Sequence, residues 1–262
     1  MSATIARAGA VVPIAVLRER FYVRMAAACL AVAVVGFVPT YWLPLGRGTL
    51  DVAPITHVHA LFFYGWVVLF LAQTSLAASG ALPRHRELGV AGVALATAMC
   101  FVGLGTAIHS LQLSLAAGFG HEARAFSVVP LTGIALFAVL FAIAVLNVKK
   151  RDIHKRVMLV ATVSLLQAGV GRWFLLFLAP PRPEGLVGPV APPPVFVTVM
   201  PGLVADLLIV VAMIHDRRTR GRVHPAYWIA GGAVVLVQVL RVPLGTTGAW
   251  TRVTEWLLAL AP

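Results

Sequence analysis

Charge is scarce in this chain, and acidic charge scarcest. Only 11% of the 262 residues are charged, and nine acidic residues face 21 basic ones. Soluble domains carry roughly 25% charged residues, so an ordinary soluble domain is excluded. Cysteine is nearly absent. Cys29 and Cys100 both lie in apolar stretches, far apart, which excludes a disulfide framework and leaves two small buried hydrophobes. No Walker loop, zincin motif, Cys-x-x-Cys-His or Gly-x-Ser-x-Gly occurs. The last long apolar run has no lysine, which argues against a retinal protein.

What is present is apolar length. The chain is 60% hydrophobic and has a mean hydropathy of +0.92. A spanning helix needs about 20 apolar residues. Seven runs qualify: Phe21–Leu45, Thr56–Ser79, Leu88–Leu111, Ala125–Val148, Lys155–Leu178, Val195–Ile214 and Pro225–Leu244. The expected fold is all-α, a polytopic membrane helix bundle with seven transmembrane helices. Residues 1–20 form a basic arm with Arg7, Arg18 and Arg20, residues 21–244 the transmembrane domain, and residues 245–262 a tail. The first run has no clean cleavage site after it and is read as a retained helix.

The net charge of +12 does not indicate nucleic acid, because the basic residues sit in short loops between apolar runs. The arm, Arg84-His85-Arg86, Lys149-Lys150-Arg151 and Arg217-Arg218-Thr219-Arg220 fall on one side. Arg47, Arg124, Arg182 and Arg252 fall on the other, with Asp51, Glu122, Glu184 and Glu255. That bias places the N-terminus inside and the C-terminus outside. Partners are then the lipid bilayer and, in some readings below, other membrane subunits or a redox partner. The expected location is the bacterial inner membrane.

The loop Ala179–Pro194 holds seven prolines, Pro180, Pro181, Pro183, Pro189, Pro192, Pro193 and Pro194, and reads as an extended cap. The tail Gly248–Leu260 puts Trp250, Val253, Trp256, Leu257 and Leu260 on one face, as in an amphipathic interfacial helix. His85, His154 and His224 precede the third, fifth and seventh runs at separations of 69 and 70 residues. That spacing suggests one helix followed by three hairpins, although seven runs of similar length give similar spacing anyway.

The chemistry centres on Thr56-His57-Val58-His59, at the start of a membrane run, and on His109 near the end of the next. Ligating groups inside a bilayer are costly and therefore functional suspects. His59 and His109 each lie about nine residues outward from the middle of their runs, roughly 13 Å above the midplane. Two imidazoles at one depth suit a bis-histidine haem b, or copper or zinc with a third ligand. His57 points about 200° away from His59, so it either serves a second cofactor site or faces the headgroups. His59 is the better ligand, because Phe63, Trp66 and Gln73 continue its stripe. Arg172 and Arg241 lie roughly 8–9 Å outward of the midplane and could hold haem propionates or another anion; alternatively both snorkel to the surface. Asp206 is the only acidic residue well inside a run. With Gln167 and Gln238 it could form a polar cluster. The inner-face histidines His85, His154, His215 and His224 could hold a second haem or metal, which would make a transmembrane electron path, but the surrounding lysines and arginines disfavour a bound cation and favour solvated basic loops.

The phrases His85-Arg86-Glu87-Leu88-Gly89, Asp152-Ile153-His154-Lys155-Arg156-Val157-Met158-Leu159 and His215-Asp216-Arg217-Arg218 resemble those of a family of uncharacterised bacterial inner-membrane proteins across most of the chain. The His-x-His at a helix start is also similar to haem–copper membrane proteins of the nitric-oxide-stress type, which are longer chains. The first likeness implies a membrane fold; the second implies haem or copper. Three functional expectations follow. One is a haem-b protein of electron transfer or respiratory-complex assembly, with His59 and His109 as axial ligands and Arg172 and Arg241 on the propionates. Another is a non-redox transporter or lipid- and anion-binding protein using Arg172, Asp206, Gln167 and Gln238. The third is a cofactor-free accessory subunit of a membrane complex.

Overall fold

The computed structural model describes residues 14–178 and 191–260, with side chains from Arg20 onward. Every regular element among them is helical. Arg7 of the expected arm lies outside the described residues, as do Pro180, Pro181, Arg182, Pro183, Glu184 and Pro189 of the proline-rich loop. Helix α1, Ile14–Gly36, begins inside the stretch expected to be an arm.

The first expected run is broken. A π-turn, Val38–Trp42, and a short helix α2, Leu43–Gly46, follow α1, and the two parts are bent by 43°. Pro39 and Pro44 lack the amide hydrogen that a continuous ladder requires. Gly36 marks the bend for a packing reason: a Cβ there would sit 2.6 Å from the Cα of Gly169.

Four units then alternate up and down: α3 Pro54–Ala78, α4 Leu82–Ala116, α5 Gly120–Leu146, and α6 Arg151–Ser164 with its continuation α7 Gln167–Leu178. The α3–α4 and α4–α5 turns are three residues each, and both turn at a glycine with positive φ, Gly80 (77°) and Gly118 (90°). A 3-10 turn, Val195–Thr198, leads into α8, Val199–Arg220; α9, Pro225–Leu244, and α10, Gly248–Leu260, complete the chain. Among the described residues, six helices are long and apolar enough to cross a membrane, or seven if the bent pair counts as one span.

Sequence neighbours pack as hairpins: α3 lies against α1 and α4, and α5 between α4 and α6. The centre is α6, which meets α5, α8, α9 and α1. Its residues Val157, Leu159, Val160, Ala161 and Val163 are all buried, so it is covered on every side. The periphery is apolar instead: Leu61, Val90, Phe101, Leu146 and Ile229 are more than two-thirds exposed. Exposed apolar surface on this scale is an interaction surface. On span-length helices it marks a multi-pass membrane protein in contact with lipid.

The α10 helix divides the stripe read from its sequence. Trp250, Thr254 and Leu257 are buried, while Val253, Trp256 and Leu260 are exposed. Trp250 fixes the inner face, its Nε1–H donating to the Arg124 carbonyl (3.0 Å) and to Ser127 Oγ (3.1 Å) of α5.

Candidate functional site

Three groups of polar side chains interrupt the apolar bundle. The first surrounds His59, on the first turns of α3. Its ring stacks on Phe63, one turn along (4.1 Å, 22°). Arg172 of α7 lies within electrostatic reach of both His59 and Tyr64, and its guanidinium stacks on Phe37 at the end of α1 (4.6 Å). Tyr64 accepts from Trp42 Nε1 (2.9 Å) and donates to the Ala33 carbonyl (3.2 Å), which ties α3 to α1 and its bend. His59 Nδ1 and Arg172 Nε are buried without a hydrogen-bond partner. His57 points elsewhere, bonded through Nδ1 to the exposed Tyr41 hydroxyl (3.0 Å). Trp66 belongs to the core: it packs edge-on against Phe137 and Phe141 and donates to Thr162 Oγ1.

His109 is placed differently. The α3–α4 register is set by small residues. A Cβ on Gly65 would touch Leu95, one on Gly92 would meet Leu69 at 3.3 Å, and one on Gly105 would touch Ile55. These contacts put residues 101–103 opposite His59. His109 therefore stands level with the irregular stretch before α3, about 10 Å of helical rise further along. Its Nε2 is also buried and unpartnered. The depths inferred from run midpoints missed this offset because packing contacts, not the middles of runs, set how antiparallel helices align.

The second group is a relay between α7, α8 and α9. Gln238 Nε2 donates to Asp206 Oδ2 (3.0 Å). Arg241 donates from NH2 to Gln167 Oε1 (2.6 Å) and from Nε to the Gln238 carbonyl (3.4 Å). Gln167 Nε2 donates onward to the Thr198 carbonyl (2.8 Å). Asp206, Gln238 and Arg241 are buried, and Arg241 and Asp206 lie within electrostatic reach of each other. Asp206 Oδ1 and Gln238 Oε1 have no partner. The four polar residues expected to cluster thus divide: Asp206, Gln167 and Gln238 join Arg241, while Arg172 joins His59.

The third group corrects the reading of the inner-face loops as merely solvated. Arg156 is 1% exposed. It donates to both oxygens of Asp216 (2.8 and 2.6 Å) and to Asp152 Oδ1 (2.9 Å). Arg220 joins Asp152 (2.6 Å). Tyr22 and Tyr227 meet beside this network at 3.2 Å. The His224 amide donates to Asp216, and the His224 ring accepts from the Ala226 amide, capping α9. Burial and then the Arg156 guanidinium hold the His224 imidazole below the usual histidine range, against the pull of Asp152 and Asp216. A basic residue followed by apolar ones (Arg156-Val157) was the available signal, but its partner lies 60 residues away.

No protein family matches this sequence, and no curated protein or solved structure is significantly similar to it. Among the described residues, no group of three or more His, Cys, Asp or Glu side chains converges to hold a metal.

Proposed function

We propose that the chain is a seven-span protein of the bacterial inner membrane, N-terminus inside. In this reading it is a non-redox transporter that couples a proton to a small anion through the Asp206–Gln238–Arg241–Gln167 relay. One observation carries the reading: Asp206 Oδ1 is buried and unpartnered, and Gln238 links its carboxylate, through the side-chain amide, to a buried arginine held on the Gln238 main-chain carbonyl. An ionised carboxylate beside Arg241 leaves the relay near neutral. A proton bound at Oδ1 removes that balance and leaves Arg241 with uncompensated charge, which an incoming anion satisfies. Proton and anion uptake are thereby coupled. Arg172 supplies a second cation at the separate His59 end, where its unpartnered Nε is a further donor.

The test is reconstitution in liposomes containing a pH-sensitive dye. An imposed anion gradient should drive proton movement in wild type. Asp206→Asn should lose the proton response while keeping anion binding. Proton flux equal to that of empty liposomes would overturn the reading.

A second reading places haem b at His59 and His109. Its support is the pair of buried, unpartnered imidazole nitrogens, with Arg172 beside His59. Two axial bonds to one haem would need the α3–α4 register to shift by about two turns, so the pair does not fit a single haem as it stands. Haem-replete protein without a Soret band would end this reading.

A further inference from the structure

His85 and His154 occupy the positions 69 residues apart that the repeat picks out, and they make the same bond. His85 Nδ1–H donates to the Gln73 carbonyl (3.2 Å), and His154 Nδ1–H donates to the Ala144 carbonyl (2.8 Å). Each thus reaches back to the last turns of the preceding helix. The third repeat position departs from this pattern, since His224 caps α9 through Nδ1. A carbonyl can only accept, so Nδ1 carries the hydrogen in both rings. Both Nε2 atoms then present lone pairs. Holding Nδ1 on a backbone carbonyl is how metal-binding histidines are commonly oriented.

The packing brings the two rings to one level. Trp66 of α3 meets Phe137 of α5 at 5.2 Å and bonds Thr162 of α6. Two turns from that layer along the parallel pair stand Gln73 on α3 and Ala144 on α5. Two turns back along the antiparallel α6 stands Lys155, beside His154. Gln73, His85, Ala144 and His154 therefore share one layer, and the two imidazoles lie within electrostatic reach of each other. The layer also holds an orphan: Gln73 Oε1 is buried with no hydrogen-bond partner. Two imidazole lone pairs and an amide oxygen are three acceptors with no donor among them.

The neighbouring cations do not close the site. Arg84, Arg86, Lys149, Lys150 and Arg151 are exposed, whereas His85, His154 and Gln73 are half-buried. Lys155 sits over the Tyr22 ring at 4.8 Å and 3.9 Å from Asp152.

The geometry points to a cation site made of Gln73 Oε1, His85 Nε2 and His154 Nε2, taking a borderline divalent first-row transition ion of the Zn2+ and Cu2+ class. Imidazole nitrogen with a neutral oxygen suits these ions better than Mg2+ or Ca2+, which prefer all-oxygen shells. Water completes the coordination. The third ligand is an amide, so the site adds no negative charge to a basic end of the bundle.

Chelator-stripped protein in detergent is titrated with Cu2+ and followed by electron paramagnetic resonance, with Zn2+ as competitor. Wild type should bind one Cu2+ per chain, with hyperfine splitting from two nitrogens, and Zn2+ should displace it. His85→Gln or His154→Gln should leave one nitrogen and weaken binding ~100-fold or more, and Gln73→Ala should weaken it about 10-fold with both nitrogens kept. A wild-type spectrum lacking the two-nitrogen pattern overturns the site without reliance on any variant. Unchanged binding in His85→Gln/His154→Gln overturns it equally, since the ion would then sit on exposed histidines such as His57.

Discussion

Arg156 and Asp216 meet through two parallel nitrogen–oxygen contacts at 2.8 and 2.6 Å, with side chains only 1% and 3% exposed. The pair joins the start of α6 to the end of α8. A buried pair of this kind is costly to break from one side, because Asp216 would keep only the His224 amide and the Arg220 guanidinium at 3.9 Å. Arg156→Met should destabilise the protein in detergent by about 3–5 kcal/mol. Arg156→Met with Asp216→Leu should be less destabilised than Arg156→Met alone. Thermal unfolding of both variants checks this; additive losses would show that the two residues do not act as a pair.

The His224 cap predicts a pH dependence with a definite sign. The folded chain holds the His224 proton less tightly than the unfolded chain does. Stability is therefore full above the ordinary histidine range near 6.5 and falls as pH drops through it. His224→Asn keeps a capping side chain without an ionisable ring. It should melt within a degree or two of wild type at pH 8 and flatten the curve between pH 7 and pH 5. An unchanged slope would assign the acid sensitivity to other groups.

Two glycine substitutions separate close packing from helix propensity. A Cβ on Gly36 would lie 2.6 Å from the Gly169 backbone, which has no flexible end to move aside. Gly36→Ala should cost about 1–3 kcal/mol through overpacking. Gly133, inside α5, has nothing within 4 Å of its Cβ position. Gly133→Ala should be neutral or gain up to ~1 kcal/mol. Melting temperatures moving the same way would contradict the α1–α7 contact.

Gly202→Ala probes the relay without altering a polar residue. Its Cβ would fall 2.7 Å from Gln238 Cδ, so the amide must swing away from Asp206. The liposome proton response should fall about as far as in Gln238→Leu, with only modest loss of stability. A full response in Gly202→Ala would remove Gln238 from the path.

Topology has its own test. Reporter domains fused after Lys150 and after Leu178 should report the cytoplasm and the outside respectively. The same side for both would mean that α6 and α7 do not form one span.

The helical architecture was legible because its signal is local, although apolar runs understate length where a helix carries on into polar sequence, as α4 does from Leu82 to Ala116. The turns at Gly80 and Gly118 fall in the gaps between the apolar runs. What escaped was set by contacts between distant segments. Arg156 looks like any loop cation until Asp216 is brought to it. The offset between His59 and His109 depends on which glycines of α3 and α4 face each other, and hydropathy carries no register. Trp66 continued the His59 stripe in sequence, yet its ring is turned toward Phe137, Phe141 and Thr162. The polar relay was half legible. Gln167, Asp206 and Gln238 stood out as polar residues in apolar runs, but the division of the two arginines rests on contacts between distant helices, Arg172 of α7 with His59 and Arg241 of α9 with Gln167.

The two-sided α10 has a consequence for how the molecule rides in lipid. One face is pinned to α5 through Trp250, and the other offers Val253, Trp256 and Leu260 outward. A tryptophan on an outward apolar face settles at the headgroup boundary. In the seven-span arrangement proposed above, the helix would act as a float attached at one height and would fix the vertical position of the bundle. A bilayer that thins or thickens cannot be met by sliding; the spans must tilt. Membrane thickness would in this way reach the helix pair α5 and α9, and with it Arg241, with no ligand involved.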